Sequence, residues 1–341
     1  PVMLAPLAES AEDISQIAFG FMASKALFAG LHADVFTLLS ERPMRSEEIS
    51  ELTDIPLNRI TTLMTALTSI GLLERNDETY SNSPGASAFL ARGAKYEFGD
   101  YLRYQIDKQM YPFLQQLNSV LDGSLDQDAV DSYRHWMSDP DQARLYSNAQ
   151  HAGSLGPGRT IARQVDLSGA RYLLDVGGGT GAMTIRLLEA NPELESTIIE
   201  FPNVAEIGWE FIAEAGMVDR VRYIPSDATS AVWPSGQDAV LMSYLFSGVP
   251  GDKLPDLVQK AFDCLNPGGR LMVHDFMVAN DRSGPAMAAL WQMQHMAFTP
   301  DAKSVTPSWL KARMEAVGFH EIEETETIPG LTRLIHCTKP A

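Results

Sequence analysis

Cysteine is scarce in this chain of 341 residues. The two that occur, Cys264 and Cys337, have no spacing typical of metal ligands. One pair of cysteines also does not make a disulfide framework. We interpret both as buried or half-buried thiols, and we expect no metal site.

Positive charge is scarce as well. Lys and Arg total 26 against 44 Asp and Glu, which gives a formal net charge of −18. Nucleic acids and anionic membranes attract proteins that carry positive potential. We therefore expect neither as a main partner, and an anionic substrate would need a local cationic pocket.

The sequence also lacks long apolar runs. No basic segment with an apolar run opens the sequence, and we find no stretch of about 20 apolar residues that would predict a membrane span. These features predict a soluble, cytoplasmic protein. The length and an apolar content of 45% indicate one large or two ordinary domains with a sizeable core.

The N-terminal part has a helix–helix–hairpin pattern. Apolar spacing predicts a helix over 14–41, and Ser46 begins another with acidic residues in its first turn. Pro56 is expected just inside a third helix that ends at Leu73, and a short hairpin follows over 73–82. This order is typical of a winged helix. The apolar face of the third helix comprises Ile60, Leu63, Met64 and Leu67.

A winged helix suggests DNA binding, but the charge of the third helix argues against it. The helix carries only Arg59 as a cation, whereas phosphate neutralisation needs several Lys or Arg. The same module can bury its apolar face against a second subunit instead. We predict a winged-helix-like dimerisation domain over 1–105 and a homodimer, and keep a cofactor-sensing regulator as an alternative.

The rest of the chain, 106–341, is predicted to hold the catalytic domain. Residues 98–150 are expected to be helical and are rich in aromatic side chains: Tyr101, Tyr104, Tyr111, Phe113, Tyr133, Trp136 and Tyr146. From Arg171 onward, strands and helices alternate, which predicts a Rossmann-like, doubly wound and mostly parallel α/β sheet. The predicted strands are Tyr172–Val176, Ser196–Glu200, Val221–Ile224, Ala239–Tyr244 and Arg270–Asp275, with a helix over Met183–Ala190.

A glycine-rich turn follows the first of these strands. Glycines at 177, 179 and 181 alternate directly behind Asp175. Dinucleotide-binding turns favour G-x-G-x-x-G, in which the pyrophosphate meets the helix N-terminus. The alternating spacing and the preceding acid instead favour S-adenosylmethionine over a nicotinamide dinucleotide, so a NAD-binding oxidoreductase is the weaker hypothesis.

Two further acids end neighbouring strands. Glu200 lies about 20 residues after the turn, where a carboxylate can accept hydrogen bonds from ribose hydroxyls. Asp227 follows the third strand, where a carboxylate could receive an adenine amino group. We expect both to contact the cofactor.

At this point the sequence resembles the class I, plant-type small-molecule O-methyltransferases and their bacterial relatives along nearly its whole length. The segments that carry the resemblance are Leu31–Leu39 (LGIFDLL in the family), Ile70–Glu74 (GLL), Asp175–Gly181 (the cofactor turn), Glu200–Val204 (DLPHV) and Leu265–Leu271 (LKPGGRL). The resemblance implies an N-terminal dimerisation domain and S-adenosylmethionine as donor, with S-adenosylhomocysteine as product. It also implies that Ser154, Asp227, Ala228 and Ser243 help to hold the cofactor.

The sequence departs from this family where the general base should be. The family carries LHDW after its fourth strand, and that His is the base; here Ser247 occupies its position. Ser308 precedes Trp309, where the family has an acid. An unassisted serine hydroxyl is too weak a base to deprotonate a phenol at neutral pH, so we expect no catalytic base.

A thioether acceptor needs no base, because its sulfur lone pair is free and carries no proton. Proximity, alignment and exclusion of water could then suffice for catalysis. The sequence resembles an acidic bacterial subgroup that S-methylates 4-methylthio-2-hydroxybutyrate in dimethylsulfoniopropionate synthesis. The alternative is an O- or C-methyltransferase acting on an aromatic or polyketide acceptor.

The expected acceptor pocket is small and polar at one end. Its predicted lining comes from three segments of the chain and comprises Arg103, Tyr104, Tyr146, Gln150, His151, Trp291, Gln292 and His295. Of these, Arg103, His151 and His295 are the candidate partners of an acceptor carboxylate.

Overall fold

The computed structural model describes residues 6–125 and 137–341, so the predicted aromatic residues Tyr133 and Trp136 lie outside the described part. The described chain divides into two compact units, 6–111 and 112–341. Each unit is described by itself below.

The N-terminal unit is mostly helical. Its elements are α1 (Ala11–His32), α2 (Val35–Glu41), α3 (Ser46–Thr53), α4 (Leu57–Ser69), the antiparallel hairpin β1 (Leu73–Asn76) and β2 (Thr79–Asn82), α5 (Pro84–Phe89) and a π-helix over Tyr101–Met110. The predicted helix–helix–hairpin order is confirmed as α3, α4 and the β1–β2 hairpin.

Two helix boundaries in this unit differ from the predictions. The helix expected over 14–41 is divided into α1 and α2, because Asp34 adopts a left-handed conformation with φ 52°. Pro56 is the residue before α4 rather than its first helical residue, and α4 ends at Ser69 instead of Leu73. Both errors concern where a helix stops, which local backbone conformation decides.

The core of the N-terminal unit joins α1–α5 and the hairpin. Ile60, Met64 and Leu67 on α4 are fully buried, as their spacing predicts. Leu63 packs against this cluster from a half-buried position. The amide of Asn82 donates to the Phe36 carbonyl at 2.7 Å, which fixes β2 to α2.

Helix α1 is the one helix of the described chain that is long and apolar enough, by length and composition alone, to cross a membrane. A window of 18 residues within it has a mean hydropathy of 1.4. Such a single helix is weak evidence for a membrane span. The exposed apolar side chains on it are Ile14, Ile17, Phe19, Phe21 and Met22.

The C-terminal unit is built on a seven-stranded sheet with strand order β5-β4-β3-β6-β7-β9-β8. Its strands are β3 (Tyr172–Val176), β4 (Glu195–Glu200), β5 (Val221–Pro225), β6 (Gln237–Ser243), β7 (Leu265–Phe276), β8 (His320–Ile328) and β9 (Thr332–Thr338). The first five strands are parallel, and β9 runs antiparallel between β7 and β8. The mostly parallel sheet is therefore confirmed, with an antiparallel hairpin at one edge.

Helices cover both faces of the sheet. The helices that begin in or lie within this unit are α6 (Tyr111–Leu114), α7 (Leu117–Leu121), α8 (Pro140–Gln164), α9 (Ala182–Ala190), α10 (Pro202–Glu214), α11 (Leu254–Cys264), α12 (Ala286–Phe298) and α13 (Pro307–Val317). Alternate residues of β6 enter opposite cores: Val240 packs with α11 and α13, whereas Leu241 packs with α8, α9 and α10. Burial on both faces explains the nearly continuous apolar sequence of this strand.

The neighbouring strands β3 and β6 form the switch point of the sheet. The chain leaves β3 into α9 on one face and leaves β6 toward α11 on the other. Diverging connections open a crevice at the carboxyl ends of such strands, where ligands of doubly wound sheets bind. The glycine turn and Ser247 follow β3 and β6, so both lie at this crevice.

The close packing of α8 on α9 predicts that Gly158 cannot gain a side chain without loss of stability. A Cβ added at Gly158 would lie 3.2 Å from the Met183 Cα and the Arg186 Cβ, whereas one added at Gly153 meets nothing within 4 Å. We expect Gly158→Ala to lower the free energy of unfolding by about 1–3 kcal/mol through overpacking. Gly153→Ala on the same helix should raise it by about 0.5–1 kcal/mol, because Ala loses less backbone entropy.

Urea unfolding of the two variants checks this expectation. Equal stabilities for the two variants would contradict it.

Candidate active site

The glycine turn between β3 and α9 has the backbone conformation that its sequence predicts. Gly177, Gly179 and Gly181 have φ angles of 68°, 57° and 79°, a region that disfavours other residues. Gly178 was not singled out, yet it makes the closest approach. A Cβ there would lie 2.5 Å from the Asp175 Cγ and 2.7 Å from the Ile198 Cγ2. The turn therefore wraps directly around the Asp175 carboxyl.

Asp175 is fully buried at the end of β3. Its Oδ2 accepts a hydrogen bond from the Thr184 hydroxyl at 2.8 Å. Its Oδ1 has no hydrogen-bond partner within the described part of the chain. Burial raises the pKa of this carboxyl to about 7, so a cation beside it would restore ionisation.

Glu200, at the end of β4, ties that strand to the glycine turn. Its two carboxylate oxygens accept hydrogen bonds from the Gly179 N–H at 2.8 Å and the Phe201 N–H at 2.7 Å. Burial, with the negative charges of Asp175 and Asp227 also contributing, raises the pKa of Glu200 to about 7. Each oxygen keeps acceptor capacity for a ligand hydroxyl.

Tyr223 on β5 supports the turn from the other side and was missed from the sequence. Its hydroxyl donates to the Gly179 carbonyl at 3.0 Å. A Cβ at Gly208 on α10 would lie 2.1 Å from this hydroxyl, so the glycine makes room for it. No local signal marks Tyr223, because the contact depends on how β5 and α10 pack.

His151 also supports the turn, and its predicted role as a carboxylate partner stays a prediction. Its Nδ1 lies 2.7 Å from the Thr180 Oγ1, and its ring stacks on Phe211. Burial, and secondarily the charge of Arg186, lowers the pKa of His151 to about 4. The imidazole is therefore neutral at physiological pH.

A first cavity of about 580 Å³, open to solvent, lies at the glycine turn. Its lining residues come from α8 and from the carboxyl ends of β3, β4 and β6: Tyr146, Gln150, Ser154, Asp175, Gly177, Gly178, Gly179, Thr180, Ala182, Met183, Glu200, Val204, Ser243 and Tyr244. The predicted cofactor residues Ser154, Asp175, Glu200 and Ser243 thus come together, as do Tyr146 and Gln150.

Four predicted cofactor residues are placed differently or carry other contacts. Gly181 is the residue before α9 rather than part of the cavity wall. The Asp227 carboxylate accepts hydrogen bonds from the Thr229 backbone and hydroxyl, and Ala228 belongs to the apolar core. Ser243 lines the cavity, but its hydroxyl lies 2.8 Å from the Nδ1 of buried His274.

A second cavity of about 240 Å³ lies beyond the end of β7 and is lined by Ser247, Asp275, Phe276, Gln292, His295, Ala302, Lys303 and Val305. The Phe276 ring lies 5.2 Å from the ring of Tyr244, which lines the first cavity. The two cavities therefore adjoin at this ring pair. Tyr244 has a φ of 57°, an unusual conformation for a bulky residue.

Ser247 and Asp275 are linked in the second cavity. The Asp275 carboxylate accepts hydrogen bonds from the Ser247 N–H at 3.1 Å and the Phe276 N–H at 2.8 Å. The Ser247 hydroxyl donates to the Tyr244 carbonyl at 3.3 Å. Burial raises the pKa of Asp275 to about 6. Asp275 was missed, although its place at the carboxyl end of a predicted strand was a usable signal.

The predicted residues of α12 have different surroundings. Trp291 stacks on Phe276 at 5.1 Å. The Gln292 amide donates to the carbonyls of Phe276 and Val305 and accepts from the Ser304 hydroxyl. These bonds fix α12 to β7. Gln292 also lines the second cavity, and its predicted contact with the acceptor stays a prediction. Burial lowers the pKa of His295 to about 4, which leaves it neutral.

Arg103 is engaged within the N-terminal unit. It is only 2% exposed, its Nε donates to the Leu31 carbonyl at 3.0 Å, and its terminal nitrogens contact Asp34 and Asp100. A guanidinium so held is not free for an acceptor carboxylate, which corrects that expectation. The Tyr104 ring lies 6.4 Å from His32 in the same unit, and its proposed role stays a prediction.

The cysteines fit their interpretation as buried thiols. Cys264 and Cys337 are both buried and unpaired. Burial raises the pKa of the Cys264 thiol to about 11 and that of Cys337 as well. Over residues 6–125 and 137–341, no group of three or more His, Cys, Asp or Glu side chains could hold a metal ion.

Comparison with known proteins identifies the family. The model of an O-methyltransferase domain matches residues 128–320, and that of an O-methyltransferase dimerisation domain matches residues 15–92. The chain belongs to the O-methyltransferase family. It is therefore an S-adenosylmethionine-dependent methyltransferase of small molecules. The dimerisation domain supports a homodimer, and it contains the exposed α1 residues Ile17, Phe19, Phe21 and Met22.

The relatives of this O-methyltransferase differ in the atom that they methylate. It is 29% identical to a 3-hydroxy-5-methyl-1-naphthoate 3-O-methyltransferase from Streptomyces sahachiroi, over 84% of this chain and 83% of the relative. It is 27% identical to the N,N-dimethyltransferase OxyT of Streptomyces rimosus, over 99% and 98%. An L-tyrosine C(3)-methyltransferase from Streptomyces lavendulae is also 27% identical, over 97% and 93%. Family membership alone therefore does not set the acceptor atom.

Solved structures share the fold of this O-methyltransferase. Human N-acetylserotonin methyltransferase, in complex with S-adenosylmethionine, has a TM-score of 0.87 at 19% identity. The match covers 99% of this chain and 100% of that chain. PigF with S-adenosylhomocysteine has a TM-score of 0.86 at 22% identity, covering 97% of this chain and 100% of that chain. At these identities the likeness establishes the fold.

The approach of Gly178 to Asp175 generates a prediction. We expect Gly178→Ala to weaken S-adenosylmethionine binding by about tenfold or more, because the added Cβ forces the turn away from the carboxyl. Isothermal titration calorimetry measures the affinity, with Gly153→Ala on α8 as the matched control, since a Cβ there meets nothing within 4 Å. Unchanged affinity in Gly178→Ala would show that the turn does not depend on this contact.

Proposed function

We propose that the first cavity binds S-adenosylmethionine and that the second binds the methyl acceptor. The donor is a cation with an amino-acid end, and Asp175 offers a buried carboxyl with one unpartnered oxygen beside the glycine turn. Glu200 has acceptor capacity left for the ribose hydroxyls. Asp227, Ala228 and Ser154 remain proposed cofactor residues on the family resemblance.

We infer that the reaction is S-methylation of a small thioether, with 4-methylthio-2-hydroxybutyrate as the acceptor. The carrying observation is Ser247, whose hydroxyl donates to the Tyr244 carbonyl where the family has its catalytic His. Transfer from a sulfonium to a thioether sulfur needs no proton removal. Alignment of the two sulfurs with the methyl carbon, and exclusion of water, then supply the catalysis.

The second cavity is narrow in the structure, with about 10 Å³ of accessible space, which is room for about one water molecule. Any acceptor requires the cavity to widen, and a short acyclic acid requires less widening than a two-ring aromatic. Aromatic faces at Tyr244, Phe276 and Trp291 would also attract the sulfonium through cation–π contacts.

A second candidate function is O-methylation of an aromatic or polyketide acceptor. Asp275 favours it, because a carboxylate whose pKa is raised to about 6 could serve as a general base. The naphthoate O-methyltransferase among the relatives points the same way. The two functions differ in whether activity depends on an ionised base.

The pKa values of the first cavity predict a pH dependence of cofactor binding. Asp175 and Glu200 each have a pKa near 7 without ligand, and a bound cation favours their ionised forms. Binding must therefore release protons below pH 7. We expect affinity to fall between pH 8 and pH 6, approaching about tenfold per pH unit for each carboxyl that must ionise.

Calorimetry in buffers of different ionisation enthalpy would measure the affinity and the proton release. Glu200→Gln removes one of the two titrating groups and should reduce the slope. A constant affinity with no proton release would contradict the ionised-carboxylate arrangement.

Turnover distinguishes the two functions. We expect 4-methylthio-2-hydroxybutyrate to be methylated with a flat kcat profile from pH 5 to 8 at saturating donor, a range that spans the pKa of Asp275 near 6. We also expect Ser247→Ala to keep most of kcat. Loss of a general base would instead cost roughly 10²–10⁴-fold. The measurement is release of S-adenosylhomocysteine.

Asp275→Asn is the matched test of the alternative. In S-methylation it should act mainly on KM and leave the pH profile flat. Turnover of phenols alone, with a kcat that falls as Asp275 becomes protonated near pH 6, would replace S-methylation by O-methylation.

A further inference from the structure

The second cavity has opposite charges on its wall that do not pair with each other. Asp275 and Lys303 both line it, yet their charged atoms are more than 4.0 Å apart, since no ion pair joins them within the described chain. Opposite charges that line one cavity without contact can each bind a different polar group of a ligand. This space has no role in donor binding, because neither residue lines the first cavity.

Lys303 is fixed in place by its backbone. It lies in the segment between α12 and α13, where Ala302 forms a β-bridge with Pro250 and the Gly251 N–H donates to the Asp301 carbonyl at 2.9 Å. The Lys303 Cβ would lie 3.0 Å from a Cβ added at Gly251. The base of the Lys303 side chain is therefore held close to Gly251, while its long stem remains adjustable.

The ammonium group of Lys303 is available for a ligand. Its Nζ lies 5.0 Å from the centroid of the Trp309 ring. Among the residues that the structure describes, no carboxylate lies within ion-pair distance of it. A cation over an aromatic face keeps its hydrogen-bond donors free for an anion.

The other predicted anion-binding groups do not supply this charge. Arg103 is bound within the N-terminal unit, and the pKa values of His151 and His295 near 4 leave both neutral. Lys303 is thus the cation among the lining residues of the second cavity. The net charge of −18 would otherwise repel an anionic acceptor.

We propose that Lys303 binds the carboxylate of the acceptor and so selects small 2-hydroxy acids. The inference rests on the proposed function of the second cavity. Asp275 repels a carboxylate and accepts a hydrogen bond from a hydroxyl, so the two residues suit the adjacent groups of a 2-hydroxy acid. Lys303 is a specificity-determining residue with no part in the transfer of the methyl group.

Binding to the complex of the enzyme with S-adenosylhomocysteine tests this assignment without requiring turnover. The probes are 4-methylthio-2-hydroxybutyrate and its primary amide, which has the same shape without the charge. We expect Lys303→Met to bind the acid at least about tenfold more weakly and the amide unchanged, because an ion pair is lost only with the acid. Lys303→Arg should keep most of the affinity for the acid.

Lys253→Met is the matched control. Lys253 is exposed near the same bridge but does not line the cavity, so its loss removes an equal charge from the region. This control should change the affinity for the acid by less than about twofold, since exposed charges are screened. Calorimetry at two salt concentrations separates the local ion pair from the overall field.

Each outcome decides the role of Lys303. The assignment is supported if Lys303→Met loses affinity for the acid but not for the amide, and if Lys303→Arg keeps its affinity for the acid. Three results would overturn it. Lys303→Met binds the acid as tightly as the natural enzyme does, or it loses equal affinity for the acid and the amide, or the natural enzyme does not bind the acid. Turnover is measured separately, as release of S-adenosylhomocysteine when S-adenosylmethionine and the thioether are supplied. An enzyme that binds the acid through Lys303 but does not methylate it refutes S-methylation and leaves the carboxylate assignment standing.

Discussion

The site depends on the closure of the glycine turn over the buried carboxyl of Asp175. Because a Cβ at position 178 would collide with that carboxyl, the turn can approach Asp175 only if this residue is a glycine. Its backbone is then held from two sides, by the Glu200 carboxylate at the Gly179 N–H and by the Tyr223 hydroxyl at the Gly179 carbonyl. Two neighbouring strands, β4 and β5, thereby position the two peptide groups that flank the Gly179 Cα, which rigidifies the cavity where the donor is proposed to bind.

Much of the sheet could be predicted from the sequence because its signals are local. The buried parallel strands are short apolar runs, and β3 is followed by glycines that only an unusual backbone explains. The acids Asp175 and Glu200 were found because strand ends are recognisable and ligands gather there. The break at Asp34 was missed, since the apolar spacing continues across it and neither glycine nor proline marks it.

The remaining parts of the site depend on contacts between distant segments. Tyr223 reaches the turn only because Gly208 on α10 leaves space for its hydroxyl. His151 is held at Thr180, 29 residues away, and burial there lowers its pKa. Lys303 lies in a segment without helical or strand periodicity, so only the tertiary structure places it beside Asp275.

The two cavities are built from different stretches of the chain, which has an evolutionary consequence. The wall of the first cavity draws most of its groups from residues 175–204, whereas the second cavity is built from 247–305. Exchanges in the later stretch can therefore diversify the nucleophile while the methyl donor stays the same. Relatives named for oxygen, nitrogen and carbon methylation fit such modular descent. Sulfur would extend the series through changes in a few side chains of the second cavity, while the first cavity stays as it is.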